Sequence, residues 1–184
     1  NEAGEIVGEN LNGDDSRVIM DRAIPFIETA AKDGKPFFTV VWFHAPHLPV
    51  VAGPKHVASY EKYGVHARNY YGCVSALDEQ MGRLRAKLRE LRIADNTMLW
   101  FCSDNGPEGQ AGKAPGSAGH LRGRKRSLYE GGIRVPGILE WPAHVKASRK
   151  TEFPAVTSDY LPTVLDALDI EHPDSRPARR HLAT

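Results

Sequence analysis

An α/β layered fold is what the sequence predicts, on three observations. Two short runs, Pro36–Phe43 (PFFTVVWF) and Thr97–Cys102 (TMLWFC), are apolar and rich in aromatic and β-branched residues, the composition of strands buried on both faces of a helix-covered parallel sheet. Between them, residues 67–92 carry an apolar stripe at helical spacing. The order of elements is helix, strand, helix, strand, long loop, strand, helix, which is that of a layered α/β domain.

Taken in order, residues 1–14 are rich in Gly, Glu and Asn and read as a loop or irregular end, as does the tail over 178–184. A helix follows, capped by Asp15 or Ser16, with Ile19, Ala23, Ile27 and Ala30 at helical spacing. Pro25 should kink that helix or mark its first turn. The stretch from the first strand through Tyr63, with Pro46, Pro49, Gly53 and Pro54, is loop-like. Tyr70, Val74, Leu77, Met81, Leu84, Leu88 and Leu91 then form the stripe of the long helix, with Arg83, Arg85, Lys87 and Arg89 off it on a solvated face. Asp95 and Asn96 make a turn before the second strand. Residues 106–123 are Gly- and Pro-rich and form a long loop, a feature commonly tied to function. Ile133–Trp141 is a third strand, placed at an edge or bulge by Pro136. Ser158–Leu168 is a short helix that tolerates Pro162 in its first turn.

The chain has 184 residues, 41% hydrophobic and 26% charged, an ordinary globular composition. A net charge of +1 gives no global drive toward nucleic acid or a membrane surface, so any anion specificity must come from a local cluster. No apolar run approaches the ~18 residues of a membrane span. The chain opens on Asn1-Glu2-Ala3, without an initiator Met or a signal peptide, and so reads as a processed or truncated product. Two cysteines, Cys73 and Cys102, make neither a disulfide framework nor a zinc site and read as core residues.

Three clusters carry chemistry. Phe43–Pro49 (FHAPHLP) places His44 and His47 directly after a strand; the two imidazoles either bind an anion or donate protons there, or are loop histidines bonded to backbone carbonyls. Ser103–Gly106 (SDNG) offers the hard oxygens of Asp104 and Asn105 at a strand end, suited to Ca²⁺ or Mg²⁺, or else is a plain Asp-Asn-Gly turn. Leu121–Pro136 (LRGRKRSLYEGGIRVP) sets Arg122, Arg124, Lys125, Arg126 and Arg134 among glycines, either as a phosphate or sulfate site or as a solvated basic or polyanion-binding loop. Asp14 and Asp15 precede a helix and read as dipole-stabilising caps, not metal ligands.

Together these segments resemble the sulfatase family of the alkaline-phosphatase-like superfamily, in its formylglycine-dependent, arylsulfatase-like form. The resemblance rests on PFFTVVWFHAPHLP, on LDEQMGRL, ADNT and SDNGP, on GSAGHLRGRKRSLYEGGIRVP and on SDYLPTVLDALDI, in the family's order. It implies a three-layer helix-sheet-helix fold, incomplete because its amino-terminal half is missing, with residues 1–184 forming part of one catalytic domain. It implies that Asp104 and Asn105 are two calcium ligands, with Ca²⁺ preferred over Mg²⁺. Lys125 and His47 become the catalytic groups on the sulfate and leaving-group oxygen, with His44 beside them. The Cys/Ser-x-Pro-x-Arg segment that yields formylglycine, and the aspartate pair that completes the metal site, are expected upstream of residue 1.

Many relatives have GGKGS where this chain has GRKRS, and Arg124 and Arg126 would suit a polyanionic substrate such as a sulfated polysaccharide. The implied function is hydrolysis of sulfate esters, on a sulfated small molecule or polysaccharide, by an intact parent of which this chain alone is inactive. The alternatives are a phosphate or phosphonate ester hydrolase of the same superfamily, and a non-catalytic module that binds sulfated glycans.

Overall fold

The structure is a computed structural model that describes residues 12–145 and 148–173. The expectations for residues 1–11 and for the tail over 178–184 lie outside those residues. The chain divides into two compact units, Asn1–Lys146 and Ala147–Thr184.

The first unit is built on two helices, α1 (Ser16–Lys32) and α3 (Val65–Glu90). Met20, Ile24 and Ile27 of α1 close on Leu84 and Leu88 of α3, with Phe37, Phe43, Met81, Ile93 and Leu99 packed around them. Each large side chain buried this way contributes about 1.5–3 kcal/mol relative to exposure. Ile27, Leu84 and Leu88 of the predicted stripes are buried, and most of the other buried positions lie one residue from the predicted ones. In α1 the buried residues are Ser16, Met20, Ile24 and Ile27, and in α3 they are Gly72, Cys73, Ala76, Gln80, Leu84 and Leu88, with Val74 exposed. The first half of α3 turns its small residues inward because the segment before it lies close: a Cβ at Gly72 would stand 2.6 Å from that of Ala52.

Both long helices end in the same way. Lys35 N–H bonds to Ala30 O at 3.0 Å past Gly34 (φ 63°), and Ile93 N–H bonds to Leu88 O at 3.0 Å past Arg92 (φ 58°). These are Schellman closures with a left-handed residue just beyond the helix. Pro25 sits in the interior of α1, on its exposed side, where its missing N–H is a solvent-side loss.

The region read as a loop through Tyr63 contains a five-residue helix, α2 (Pro54–Ala58), with proline at its first position. Glu79 of α3 accepts from Lys55 Nζ at 2.7 Å and pairs with His56 Nε2 at 3.0 Å, which clasps α2 to α3. These two contacts hold the Glu79 carboxyl below its ordinary pKa.

The sheet differs most from expectation. Among the described residues it has two strands, β1 (Leu99–Cys102) and β2 (Gly137–Glu140), paired antiparallel with Leu99 opposite Glu140 and Cys102 opposite Gly137. The predicted parallel sheet of a three-layer fold is not formed by these residues. Pro36–Phe43 is extended but joins no ladder. Phe37 and Phe43 pack against the core and Phe38 and Trp42 are left 80% and 82% exposed, while exposed Thr39 breaks the alternation of a strand. Composition made this run a strand, but a strand also needs a partner edge, and among the described residues none lies beside it. Arg85 of α3 holds β2 through a two-toothed contact to Glu140, with Nε to Oε2 at 2.6 Å and Nη2 to Oε1 at 3.2 Å.

After β1 the chain runs through the long loop into a single helical turn, α4 (Glu130–Ile133), before β2. Gly131 and Gly132 of that turn are buried, and Gly106 N–H donates to Gly132 O at 2.8 Å. A Cβ at Gly131 would lie 2.8 Å from Arg122 O and would overlap Gly123 O.

The second unit holds a 3₁₀ turn at Thr157–Asp159 and α5 (Tyr160–Ala167). Asp159 accepts the Val156 N–H at 2.7 Å, and Pro162 stands in the first turn of α5, as expected.

Gly131→Ala in the intact protein should cost about 3 kcal/mol or more, since the overlap is with backbone that has no rotamer to change. Chemical denaturation should show the loss as a fall in the unfolding midpoint, and an unchanged midpoint would contradict the close backbone packing.

Candidate active site

The end of β1 opens directly into Ser103–Gly106, where Ser103 Oγ donates to Asn105 O at 3.0 Å and tightens the turn. Asp104 is exposed and Asn105 half-buried. The next residue, Pro107, accepts the Lys125 N–H at 3.1 Å. The structure therefore brings the predicted oxygen ligands and the predicted lysine onto adjoining backbone, eighteen or more residues apart in sequence.

The cations of the lysine loop are mostly engaged inside it. Arg122 lies 3.8 Å from the centre of the Tyr129 ring, and Arg134 pairs with Glu130 at 3.4 Å. Arg126, in a left-handed conformation at φ 74°, pairs with Glu108. Arg124 Nη2 donates to Glu108 O at 2.9 Å and to Gly116 O at 2.7 Å. Lys125 is half-buried, and its ammonium makes no hydrogen bond or ion pair among the described residues; its charge falls on Glu108 as a weak contribution. The Gly109 N–H, followed by Arg126, holds the Glu108 carboxyl below its usual range.

The histidine loop is organised separately. His47 N–H donates to His44 O at 2.6 Å, and its Nδ1 lies 2.8 Å from Leu48 O. A carbonyl can only accept, so Nδ1 carries the proton and Nε2 is left for a ligand. His44, almost fully exposed, sets both its backbone N–H and its ring Nδ1 on the Asp15 carboxylate. Asp15 thus caps nothing with its side chain. Asp14 does that work, accepting the Ser16 N–H at 2.7 Å. The hydrogen bonds of His47 stay within its own turn, and no bond among the described residues joins it to Lys125.

No sequence signal marks Asp15 as the partner of His44, nor Tyr70, whose hydroxyl would stand 2.8 Å from a Cβ at Gly116. Burial raises the Tyr70 pKa, with the Arg124 charge opposing. Calcium takes six to eight oxygens. Asp104 and Asn105 supply the right chemistry, but among the described residues no group of three or more His, Cys, Asp or Glu could hold a metal. These residues alone are an incomplete site. Ser175–Arg179 (SRPAR) does spell Ser-x-Pro-x-Arg, contrary to the expectation that this pattern lies only upstream of residue 1. It falls outside the described residues.

The chain belongs to the sulfatase family, whose model matches residues 3–170. It is 32% identical over 163 residues to the N-acetylgalactosamine-6-sulfatase of Sus scrofa, covering 88% of this chain and 30% of that protein. It is 33% identical to the steryl-sulfatase of Homo sapiens, over 77% of this chain and 24% of that one. Among solved structures it matches Ps i-CgsB in complex with k-i-k-neocarrahexaose, with a TM-score of 0.78 and 30% identity over 85% of this chain and 34% of that one. The chain thus spans about a third or less of the proteins it matches.

Cys73 is buried against this region, and burial, followed by the Asp14 carboxylate, pushes its thiol up to about 11. At pH 8 its thiolate should be scarce, so a thiol reagent should modify it roughly a hundredfold or more slowly than an ordinary cysteine until the protein unfolds. Mass spectrometry of the labelled protein, with half-buried Cys102 as internal comparison, checks this; fast labelling of Cys73 in the folded state would contradict it.

Proposed function

We propose that this chain is one wall of the catalytic site of an enzyme that hydrolyses sulfate esters, with Lys125 and His47 acting on the ester. The observation that carries the reading is the selective freedom of Lys125. Four neighbouring guanidiniums are engaged within the loop, while the Lys125 ammonium makes no ion pair among the described residues and its backbone N–H is fixed to Pro107 O, two residues after Asn105. That pattern favours a single anion subsite over a diffuse polyanion-binding patch.

The roles follow from the chemistry. Lys125 binds an ester oxygen and offsets charge that develops on the leaving alcohol oxygen. His47, with Nδ1 tied to Leu48 O, presents Nε2 as the atom that holds or moves a proton at that oxygen. His44, braced by Asp15, lines the same side. Asp104 and Asn105 would contribute two ligands to a calcium ion that is completed by residues beyond these. Bound there, calcium would hold sulfate oxygens and offset their charge. The nucleophile, a formylglycine, belongs to a segment outside the described residues. The solved relative bound to a neocarrahexaose makes sulfated polysaccharides the substrate class to test first.

The intact protein should release inorganic sulfate from an aryl sulfate and from sulfated oligosaccharides, and Lys125→Ala should lower kcat/KM by about 10²–10³-fold, as loss of one oxyanion donor does. Faster release of phosphate from the matching aryl phosphate would favour the phosphate-ester reading instead. The 184 residues alone should show no turnover, and calorimetry should find calcium bound to them no tighter than micromolar.

A further inference from the structure

We propose that Arg124 is a positioning residue for Lys125, not a contact to the substrate anion. The inference rests on the reading of Lys125 given above. The two N–H groups of Arg124 Nη2 reach two different carbonyls, Glu108 O at 2.9 Å and Gly116 O at 2.7 Å, which bracket the long loop after β1. A guanidinium that spends these donors on carbonyl oxygens has turned its charge into the loop, away from a bound sulfate. Its Nε is buried without a hydrogen-bond partner.

The geometry links this bridge to the lysine. Arg124 and Lys125 are neighbours, and Lys125 N–H is fixed to Pro107 O at 3.1 Å, one residue before Glu108. Residues 107–116 are therefore held to residues 124–125 at three points, one from the lysine backbone and two from the arginine side chain. On the other side, Tyr70 of α3 closes on Gly116, leaving no room for a Cβ there. Removing the Arg124 side chain frees the Glu108 and Gly116 carbonyls but leaves the Pro107 contact, so Lys125 stays in place on average and loses part of the support that limits its excursions. Lysine at position 124 has one compact ammonium in place of a planar fork and can replace the bridge only in part.

The test uses the intact protein with Arg124→Met and Arg124→Lys, with Lys125→Ala as comparator. Amide hydrogen exchange across residues 108–116 should quicken by about tenfold or more in Arg124→Met, the loss expected for hydrogen bonds to a charged donor. It should quicken less in Arg124→Lys and stay unchanged in Lys125→Ala. On an aryl sulfate, Arg124→Met should lower kcat by about tenfold or more, as a displaced catalytic group does, while KM and inhibition by inorganic sulfate stay as in the parent. A raised KM and weakened sulfate inhibition, with kcat and exchange unchanged, would overturn the proposal and make Arg124 an anion contact. If the parent hydrolyses no sulfate ester, the functional reading fails, and the exchange measurement still decides whether Arg124 holds the loop. If Arg124→Met does not fold, Arg124→Lys carries both measurements, and unchanged exchange there sinks the idea.

Discussion

Backbone pressed against backbone is the constraint on which the site depends. Gly106 follows the two candidate metal ligands, and Gly131 and Gly132 form the single turn that leads into β2; the Gly106 N–H reaches Gly132 O across this contact. A Cβ at Gly106 would overlap Gly131 O and come within 3.0 Å of the Gly132 Cα, so the approach exists only because residue 106 has no side chain. It adds to the Lys125 N–H bond to Pro107 O and to the Arg124 bridge in tying the end of β1 to the lysine loop. With it, the chemistry of residues 104–105 and of residue 125 becomes the chemistry of one place.

Helix α3 is what ties that place to the rest of the first unit. Its far half closes the hydrophobic core against α1 through Leu84 and Leu88. Its near half carries small residues on the face toward Ala52, where the segment after the histidine loop lies against Gly72. Asn69 on the same helix accepts the Ala52 N–H at 3.0 Å. Tyr70, one residue on, meets Gly116 of the lysine loop. One rigid element thus touches both the segment that follows the histidines and the loop that carries the lysine, which is how binding residues on loops acquire fixed positions.

Charge is arranged locally. The chain is nearly neutral, and three of the four basic residues on the face of α3 read as solvated are paired: Arg83 with Asp21, Arg85 with Glu140, and Lys87 with Glu28 and Glu90. Exposed pairs of this kind contribute little to stability, about 0–1 kcal/mol each, but they leave few unengaged cations. An anion arriving at the lysine loop meets arginines already committed to Glu108, Glu130, Tyr129 and backbone carbonyls.

By itself the sequence determined the family, the positions of the long helices and of β1, the order of the motifs and the candidates Asp104, Asn105, Lys125 and His47. These are legible because helical spacing, apolar runs and short motifs are local properties of the chain. Tertiary structure alone decided that Pro36–Phe43 finds no ladder partner among the described residues, and that β1 and β2 run antiparallel. It also decided that Asp15 serves His44, and that Arg124 faces the carbonyls of Glu108 and Gly116. Each of these depends on which distant segment arrives alongside, and a guanidinium carries the same charge in the sequence whether it meets an anion or a carbonyl oxygen. The partner sets its role, and partners are a property of the folded chain.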